Sequence, residues 1–319
     1  FGADTVRLFI LFGANPEAGM DWSDNALEAN HRQLFSLINA VDAALEFTKS
    51  PSKIDDWLLS RLRSNQKKWI EVMSEVSLRE GVMISHFEML TDWNWYVRRG
   101  GRDRATAAKF LQGWIPMLAP ATPHIAEEFW KKLGGENLLA QFEMPILQTD
   151  SKDIRVLAIE NYIKQIISTG RNLKTLAERH SENQISRVVI QTSPVWKSDL
   201  AIEAISLDKE GFNFKEKGHN HVKSLNVFKD ESTRGEVFQT WNTITIGSKK
   251  TRGRIHTWSD GERAIISEGI NESEIIMQNS DFIASALDVD TIEAYSVGES
   301  EDVGGKASFS FPLEPGIAF

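Results

Sequence analysis

The sequence predicts an α-helical bundle followed by a smaller mixed α/β domain. Three observations lead to this fold class. The chain has 319 residues, which is long for a single core. Apolar residues recur at helical spacing through roughly the first 145 residues, whereas β-branched runs alternate with helical segments after them. We therefore place a helical domain at 1–148 and an α/β domain at 149–319.

The bundle is predicted from five consecutive helical segments that follow a turn-rich stretch at 13–17. The first is capped by Ser23 or Asp24, and its apolar face includes His31, which we interpret as a packed core histidine. A second begins near Asp55. The third ends at the double glycine 100–101, the fourth covers about 102–118, and the fifth runs from the Thr122 cap to 134–135. Short breaks between such helices are typical of a bundle.

The second domain begins after a predicted linker at 149–151. A long helix is marked by Ile159 to Ala177, and a second helix is predicted at 196–205. Strands are predicted at 187–192, 291–295 and 307–311, where β-branched or alternating residues occur. The segment 235–270 fits both a helix and a strand, and we favour the helix.

Composition excludes several classes of protein. Cysteine is absent, so no disulfide framework or thiolate metal site is available, as is common in a reducing cytoplasm. Apolar stretches are far shorter than the roughly 20 residues that a membrane span requires. A formal net charge of −9 argues against a general electrostatic binder of nucleic acid, so any such contact is expected to be local.

No catalytic arrangement is evident, and we predict no catalytic residue, no metal ligand and no cofactor in this stretch of chain. His219 and His221 are close in sequence but lack a third ligand, which favours a surface turn. The adjacent Glu127 and Glu128 point apart on a helix. Neither a glycine-rich phosphate loop nor a nucleophile elbow is present in the sequence.

Four arginines follow an apolar helix closely: Arg98, Arg99, Arg102 and Arg104. Such a concentration of positive charge favours an anionic partner. Trp95 lies beside the arginines, and aromatic faces next to guanidinium groups suit RNA. The alternative is a set of salt bridges with Asp92 and Asp103.

A second basic segment, 248–254, contains Lys249, Lys250, Arg252 and Arg254 among small residues. Its composition is consistent with a loop that follows a phosphate backbone. A solvated loop without a partner is the alternative.

Several motifs resemble those of a known family. The segments 2–11, 56–62, 114–120 and 123–130 resemble the helices after the KMSKS loop of class I aminoacyl-tRNA synthetases of the leucine, isoleucine, valine and methionine group. The segments 95–101, 188–197 and 311–317 look like the archaeal and eukaryotic type of leucyl-tRNA synthetase.

This resemblance implies an anticodon-binding bundle and a C-terminal tRNA-binding domain. The implied partner is tRNA-Leu, held by its backbone and its long variable arm. The chain would then be an inactive part of a larger ligase, whose catalytic and editing domains lie elsewhere in the parent chain and whose ATP and Mg²⁺ bind there. The two basic segments are the implied tRNA-binding residues.

The tail supplies two further candidate tRNA-binding residues, Pro315 and Ile317. Phe309, Phe311 and Leu313 alternate as in a strand, and two prolines restrict the backbone after them. We expect a restrained arm that projects from the domain.

Two other functions are considered. A valyl, isoleucyl or methionyl relative would share the bundle but bind anticodon bases. A helical scaffold would bind another protein, without the salt-dependent tRNA binding expected of a synthetase fragment.

Overall fold

The computed structural model describes residues 1–14, 19–149, 151–179, 185–231, 233–248, 250–298, 302–306 and 309–319. The chain divides into two units, Phe1–Val156 and Leu157–Phe319. The boundary lies inside a helix, eight residues after the predicted one at 148/149, which remains a prediction.

The first unit is helical, and its helices match the predicted apolar stripes. Their bounds are α1 Ala3–Gly13, α2 Asp24–Leu45, α3 Lys53–Ser74, α4 Leu78–Val82, α5 Met89–Arg98, α6 Arg104–Leu118 and α7 Pro123–Lys132. A π-helical segment, Met83–Glu88, joins α4 to α5, and a short 3₁₀ helix covers Leu139–Gln141.

Large aromatic side chains form the core of this unit. Trp57, Trp93, Tyr96, Phe110 and Trp114 are almost fully buried. The Trp93 ring stacks between those of Phe47 and Phe110, with centroid distances of 5.5 and 5.7 Å. Burial of such side chains is the main stabilising contribution in a bundle of this kind.

Buried polar groups link the helices. The Tyr96 hydroxyl donates a hydrogen bond to Asp55 at 2.5 Å. His86 is fully buried, and its Nε2 lies 2.9 Å from the Thr122 hydroxyl. Burial lowers the pKa of His86 to about 3, so its ring is neutral at physiological pH.

The start of α7 differs in detail from the prediction. Thr122 donates to the Leu118 carbonyl and makes no capping hydrogen bond to α7. Instead, the Asp4 carboxylate accepts hydrogen bonds from the Ile125 amide and the His124 ring, both at 2.8 Å. A residue of α1 therefore accepts the hydrogen bond of a backbone amide in the first turn of α7, which has no partner within that helix.

The second unit is mainly helical and contains a small sheet. Its helices are α8 Ser151–Glu178, which begins before the unit boundary, α9 Val195–Lys209, α10 Phe214–Ser224, α11 Asn226–Lys229, α12 Arg234–Thr245, α13 Asp260–Ser267, α14 Glu272–Met277 and α15 Ser280–Leu287. The helix favoured within 235–270 is thus confirmed by α12 and α13. His219 and His221 lie on α10, so the surface turn predicted for them is wrong.

The sheet has the order β2-β1-β3, with strands β1 Arg187–Thr192, β2 Thr291–Ser296 and β3 Gly316–Ala318. The central β1 pairs in parallel with β2 and antiparallel with β3. Predictions for β1 and β2 are confirmed. The predicted strand at 307–311 is wrong for Phe309 to Phe311, and Ala307 and Ser308 lie outside the described residues.

Candidate nucleic-acid interface

The arginine cluster, Arg98, Arg99, Arg102 and Arg104, is built around the end of α5. The amide of Gly100 donates to the Val97 carbonyl at 3.1 Å, and that of Gly101 donates to the Tyr96 carbonyl at 2.9 Å. This is a Schellman motif, for which Gly100 supplies the left-handed residue at φ 87°. A side chain at Gly101 would meet the Tyr96 ring, with a closest approach of 2.1 Å. Both glycines are therefore needed to turn the chain from α5 into α6.

The exposed part of the cluster includes Arg98 and Arg104. The Arg98 guanidinium lies over the Trp95 ring at 4.4 Å from its centroid. Arg104 is exposed at the first residue of α6, and Arg99 is half-buried. Stacking restrains the Arg98 side chain, which reduces the entropy it would lose on binding an anion.

Arg102 has a structural role. Its Nη1 donates to the carbonyls of Val97 and Gly101, at 2.8 and 2.6 Å, and its guanidinium lies 5.2 Å from the Phe47 centroid. These contacts satisfy carbonyls at the end of α5. A side chain held in this way is poorly placed to reach a phosphate.

The two carboxylates considered as partners of the cluster make hydrogen bonds to other groups. Asp92 accepts from Arg61 at 2.7 Å and from Asn65 at 2.9 Å. Asp103 caps α6 by accepting from the Thr106 amide at 2.8 Å. Both groups thereby stabilise the ends and faces of neighbouring helices.

The described residues Ser248, Lys250, Thr251 and Arg252 of the second basic segment lie in a tight turn after α12, and we call these four residues the basic turn. Ser248 and Thr251 exchange backbone hydrogen bonds, and the Ser248 hydroxyl accepts from the amides of Lys250 and Thr251, each at 3.2 Å. Gly247 at φ 80° begins the turn. Lys250 and Arg252 are exposed, whereas Lys249 lies outside the described residues.

Arg254 is part of the same sequence run but differs in its contacts. Its guanidinium forms two hydrogen bonds with the Glu314 carboxylate, at 2.9 and 2.6 Å. It also lies over the Phe311 ring, 3.8 Å from the centroid. Because the guanidinium is engaged with the tail, assigning Arg254 to tRNA binding is not supported by the geometry.

The tail does not form a projecting arm, so that expectation is wrong. Ile317 is 3% exposed and pairs with Ile190 in the register of β1 and β3. Pro315 precedes β3 and is half-buried. A buried side chain in a strand is not available to an RNA partner, and Ile317 therefore belongs to the core of the second unit.

Residues that the sequence analysis missed hold the tail in place. Glu272 is buried and accepts hydrogen bonds from the Tyr162 hydroxyl at 2.6 Å and the Leu313 amide at 3.2 Å. Lys197 is also buried and donates to the Ser310 carbonyl at 2.9 Å. Burial raises the pKa of Glu272 to about 7 and lowers that of Lys197. A lone Glu in a short helix carries no signal in the sequence that could have identified it.

Neither a membrane-spanning helix nor a cluster of metal ligands is found in the part of the chain that the structure describes. None of its helices is both long and apolar enough to span a membrane. No group of three or more His, Asp or Glu side chains there could hold a metal ion.

Comparison with known proteins shows similarity to tRNA ligases. Residues 55–190 match the family described as the anticodon-binding domain of tRNA ligase. Leucine–tRNA ligase of Pyrococcus abyssi is 28% identical over 99% of this chain and 31% of its own length. The enzyme of Methanothrix thermoacetophila is 30% identical over 66% of this chain and 22% of its own length.

A solved structure is also similar. It is a ternary complex of a LeuRS from Agrobacterium radiobacter K84 with tRNA and LeuAMS, which has 20% sequence identity, a TM-score of 0.39, and coverage of 61% of this chain and 22% of that chain. The chain spans about a third of the length of the Pyrococcus and Methanococcus ligases that it matches. Residues 55–190 thus match the anticodon-binding domain of tRNA ligases, and the chain as a whole is similar to leucine–tRNA ligases over about a third of their length.

Proposed function

We propose that this chain is the tRNA-binding part of a leucine–tRNA ligase and that it positions tRNA-Leu for leucylation in the remainder of the parent enzyme. The observation that carries this proposal is the match to archaeal leucine–tRNA ligases over 99% of the chain. The exposed cations of the arginine cluster and the basic turn support it, because they concentrate positive charge locally on an acidic protein.

Phosphate contacts are the proposed means of holding the tRNA. Arg98 and Arg104 in the first unit, and Lys250 and Arg252 in the second, have the exposure that such contacts require. Lys249 is retained as a candidate from the sequence. Contacts of this type fix the register of an RNA without reading its bases.

Discrimination by the long variable arm is proposed for the second unit. The basic turn supports this assignment, since shape and backbone are the features by which proteins recognise folded RNA. ATP with Mg²⁺, leucine and the editing reaction are proposed to belong to the rest of the parent chain, and the cytoplasm is the proposed location. The chain by itself is expected to form no leucyl adenylate.

Binding of a tRNA-Leu transcript to the 319-residue chain tests the proposal. We expect affinity to fall with increasing salt, and to fall further for a transcript whose variable arm has been shortened. Arg104→Gln should reduce the slope of log K against log salt by roughly one, whereas Lys109→Gln, an exposed position on the same helix, serves as the matched control. Salt-independent binding, or no binding, would favour the protein scaffold instead.

A further inference from the structure

A pocket with a volume of about 510 Å³ lies beside the basic turn. Its walls come from the start of α10, the end of α12, the basic turn and the 3₁₀ helix Arg254–His256. The residues that line it are Phe212, Asn213, Phe214, Lys215, Thr245, Ile246, Arg252 and His256, of which Phe214 is largely buried against Trp241. Pockets of this volume are typical of small-molecule and nucleotide sites.

The chemistry of the lining is aromatic and basic. The rings of Phe212 and Phe214 meet edge to face at 5.4 Å. Lys215 and Arg252 are exposed and bring positive charge, and none of the lining residues is acidic. Aromatic faces stack on nucleobases, and adjacent cations bind phosphate, so this combination suits a nucleotide better than an apolar or cationic ligand.

The pocket is built by well-defined backbone. Gly253 approaches the end of α12 so closely that a Cβ there would lie 2.4 Å from the Thr245 carbonyl. At Gly247 a Cβ would lie 2.2 Å from the Thr251 carbonyl oxygen. On the opposite wall, the Asn213 side chain caps α10 by accepting from the Glu216 amide at 3.3 Å. These contacts fix the local backbone beside Arg252 and Lys215.

We propose that this pocket binds one unstacked nucleotide of the bound RNA, with its base against the half-buried Phe212 ring and its phosphate between Lys215 and Arg252. The proposal rests on the proposed function and adds a site for a single-stranded or looped-out residue to the backbone contacts described above. Stacking on an aromatic side chain tolerates any base, so the pocket selects an unpaired nucleotide rather than a particular sequence.

The test uses the 319-residue chain and three probes: a fluorescein-labelled single-stranded RNA decamer, the same decamer in a duplex, and AMP. We expect the single strand to bind more tightly than the duplex, and AMP to compete only at millimolar concentration. Phe212→Leu should weaken binding of the single strand about fivefold or more without changing its salt slope, because the lost contact is uncharged. Arg252→Gln and Lys215→Gln should each lower the slope by roughly 0.7.

Lys223→Gln is the matched control, since Lys223 is exposed on α10 outside the pocket. Thermal midpoints of all variants show whether Phe212→Leu still folds, and Lys215→Gln tests the pocket if it does not. Equal effects of Phe212→Leu, Lys215→Gln and Lys223→Gln would overturn the proposal, as would AMP displacing the decamer at micromolar concentration. If tRNA-Leu binds with the expected salt dependence while the pocket variants behave as the control does, the pocket inference fails and the proposed function stands.

Discussion

Arg254 and Glu314 are 60 residues apart in the sequence, yet their side chains form a two-hydrogen-bond ion pair, with distances of 2.9 and 2.6 Å. The pair joins the segment after the basic turn to the turn before β3. The Phe311 ring packs against the guanidinium and shields one face of it from water. Such two-point pairing fixes orientation as well as distance.

Replacing either partner should loosen the tail. We expect Glu314→Gln and Arg254→Lys each to lower the free energy of unfolding of the second unit by about 0.5–1.5 kcal/mol, because both side chains are partly exposed and water screens the pair. A double-mutant cycle measured by denaturant unfolding gives the coupling energy. Additive effects of the two changes would mean that the ion pair contributes nothing beyond its separate side chains.

The buried carboxyl of Glu272 should make stability depend on pH. Its folded pKa is about 7, raised by burial above the ordinary value of 4.5, so folding favours its protonated form. The stability that this group contributes is therefore complete below about pH 4.5 and is lost as the pH rises through 7, by an amount on the order of 3 kcal/mol.

Glu272→Gln isolates this effect because the variant cannot ionise. We expect the difference in unfolding free energy, variant minus wild type, to become more favourable to the variant between pH 5 and pH 8. Comparing the two proteins at each pH removes the contribution of their other titrating groups. A difference that stays constant over this range would contradict the prediction. Tyr162→Phe, which removes the hydroxyl donor to Glu272, provides a second probe of the same carboxyl.

Local sequence signals predicted most of the helices and the two longer strands. Their apolar spacing, Ser23 as the N-cap of α2 and the double glycine after α5 are properties of neighbouring residues. β3 could not be predicted in this way. It covers only Gly316–Ala318, and its pairing depends on β1, more than 120 residues earlier in the sequence.

The candidate site, too, could be predicted from the sequence only in part. Composition alone indicated both basic segments, because clustered cations are visible in the sequence. It could not separate Arg252 from Arg254, since their roles differ only through Glu314 and Phe311. Likewise, Arg102 has a structural role because the carbonyls of Val97 and Gly101 both lie within hydrogen-bond distance of it. This arrangement exists only in the folded helix end.

The tail should be essential for the fold of the second unit. Ile317→Ala is expected to destabilise that unit by about 2–5 kcal/mol, because it leaves a cavity between β3 and the core. Deleting Pro315 to Phe319 should be more severe, since it also removes the β1–β3 hydrogen bonds. Phe319→Ala, at a residue 37% exposed, is the control. Thermal unfolding monitors all three variants. An unchanged unfolding transition of the truncated chain would mean that the tail is a projecting arm after all.

The arginine cluster should separate into a binding part and a structural part. Arg102→Gln is expected to lower the free energy of unfolding of the first unit by about 1 kcal/mol, because the Val97 and Gly101 carbonyls each lose a hydrogen bond from its guanidinium. Arg104→Gln should leave stability within about 0.5 kcal/mol of wild type, as is usual for an exposed side chain. For tRNA-Leu binding, the order of the two effects should be reversed. Arg104→Gln should lower the salt slope by roughly one, and Arg102→Gln should change it less. Measuring unfolding and salt-dependent binding on the same two variants tests both the structural and the binding role. A destabilised Arg104→Gln variant with an unchanged salt slope would show that Arg104 stabilises the fold instead.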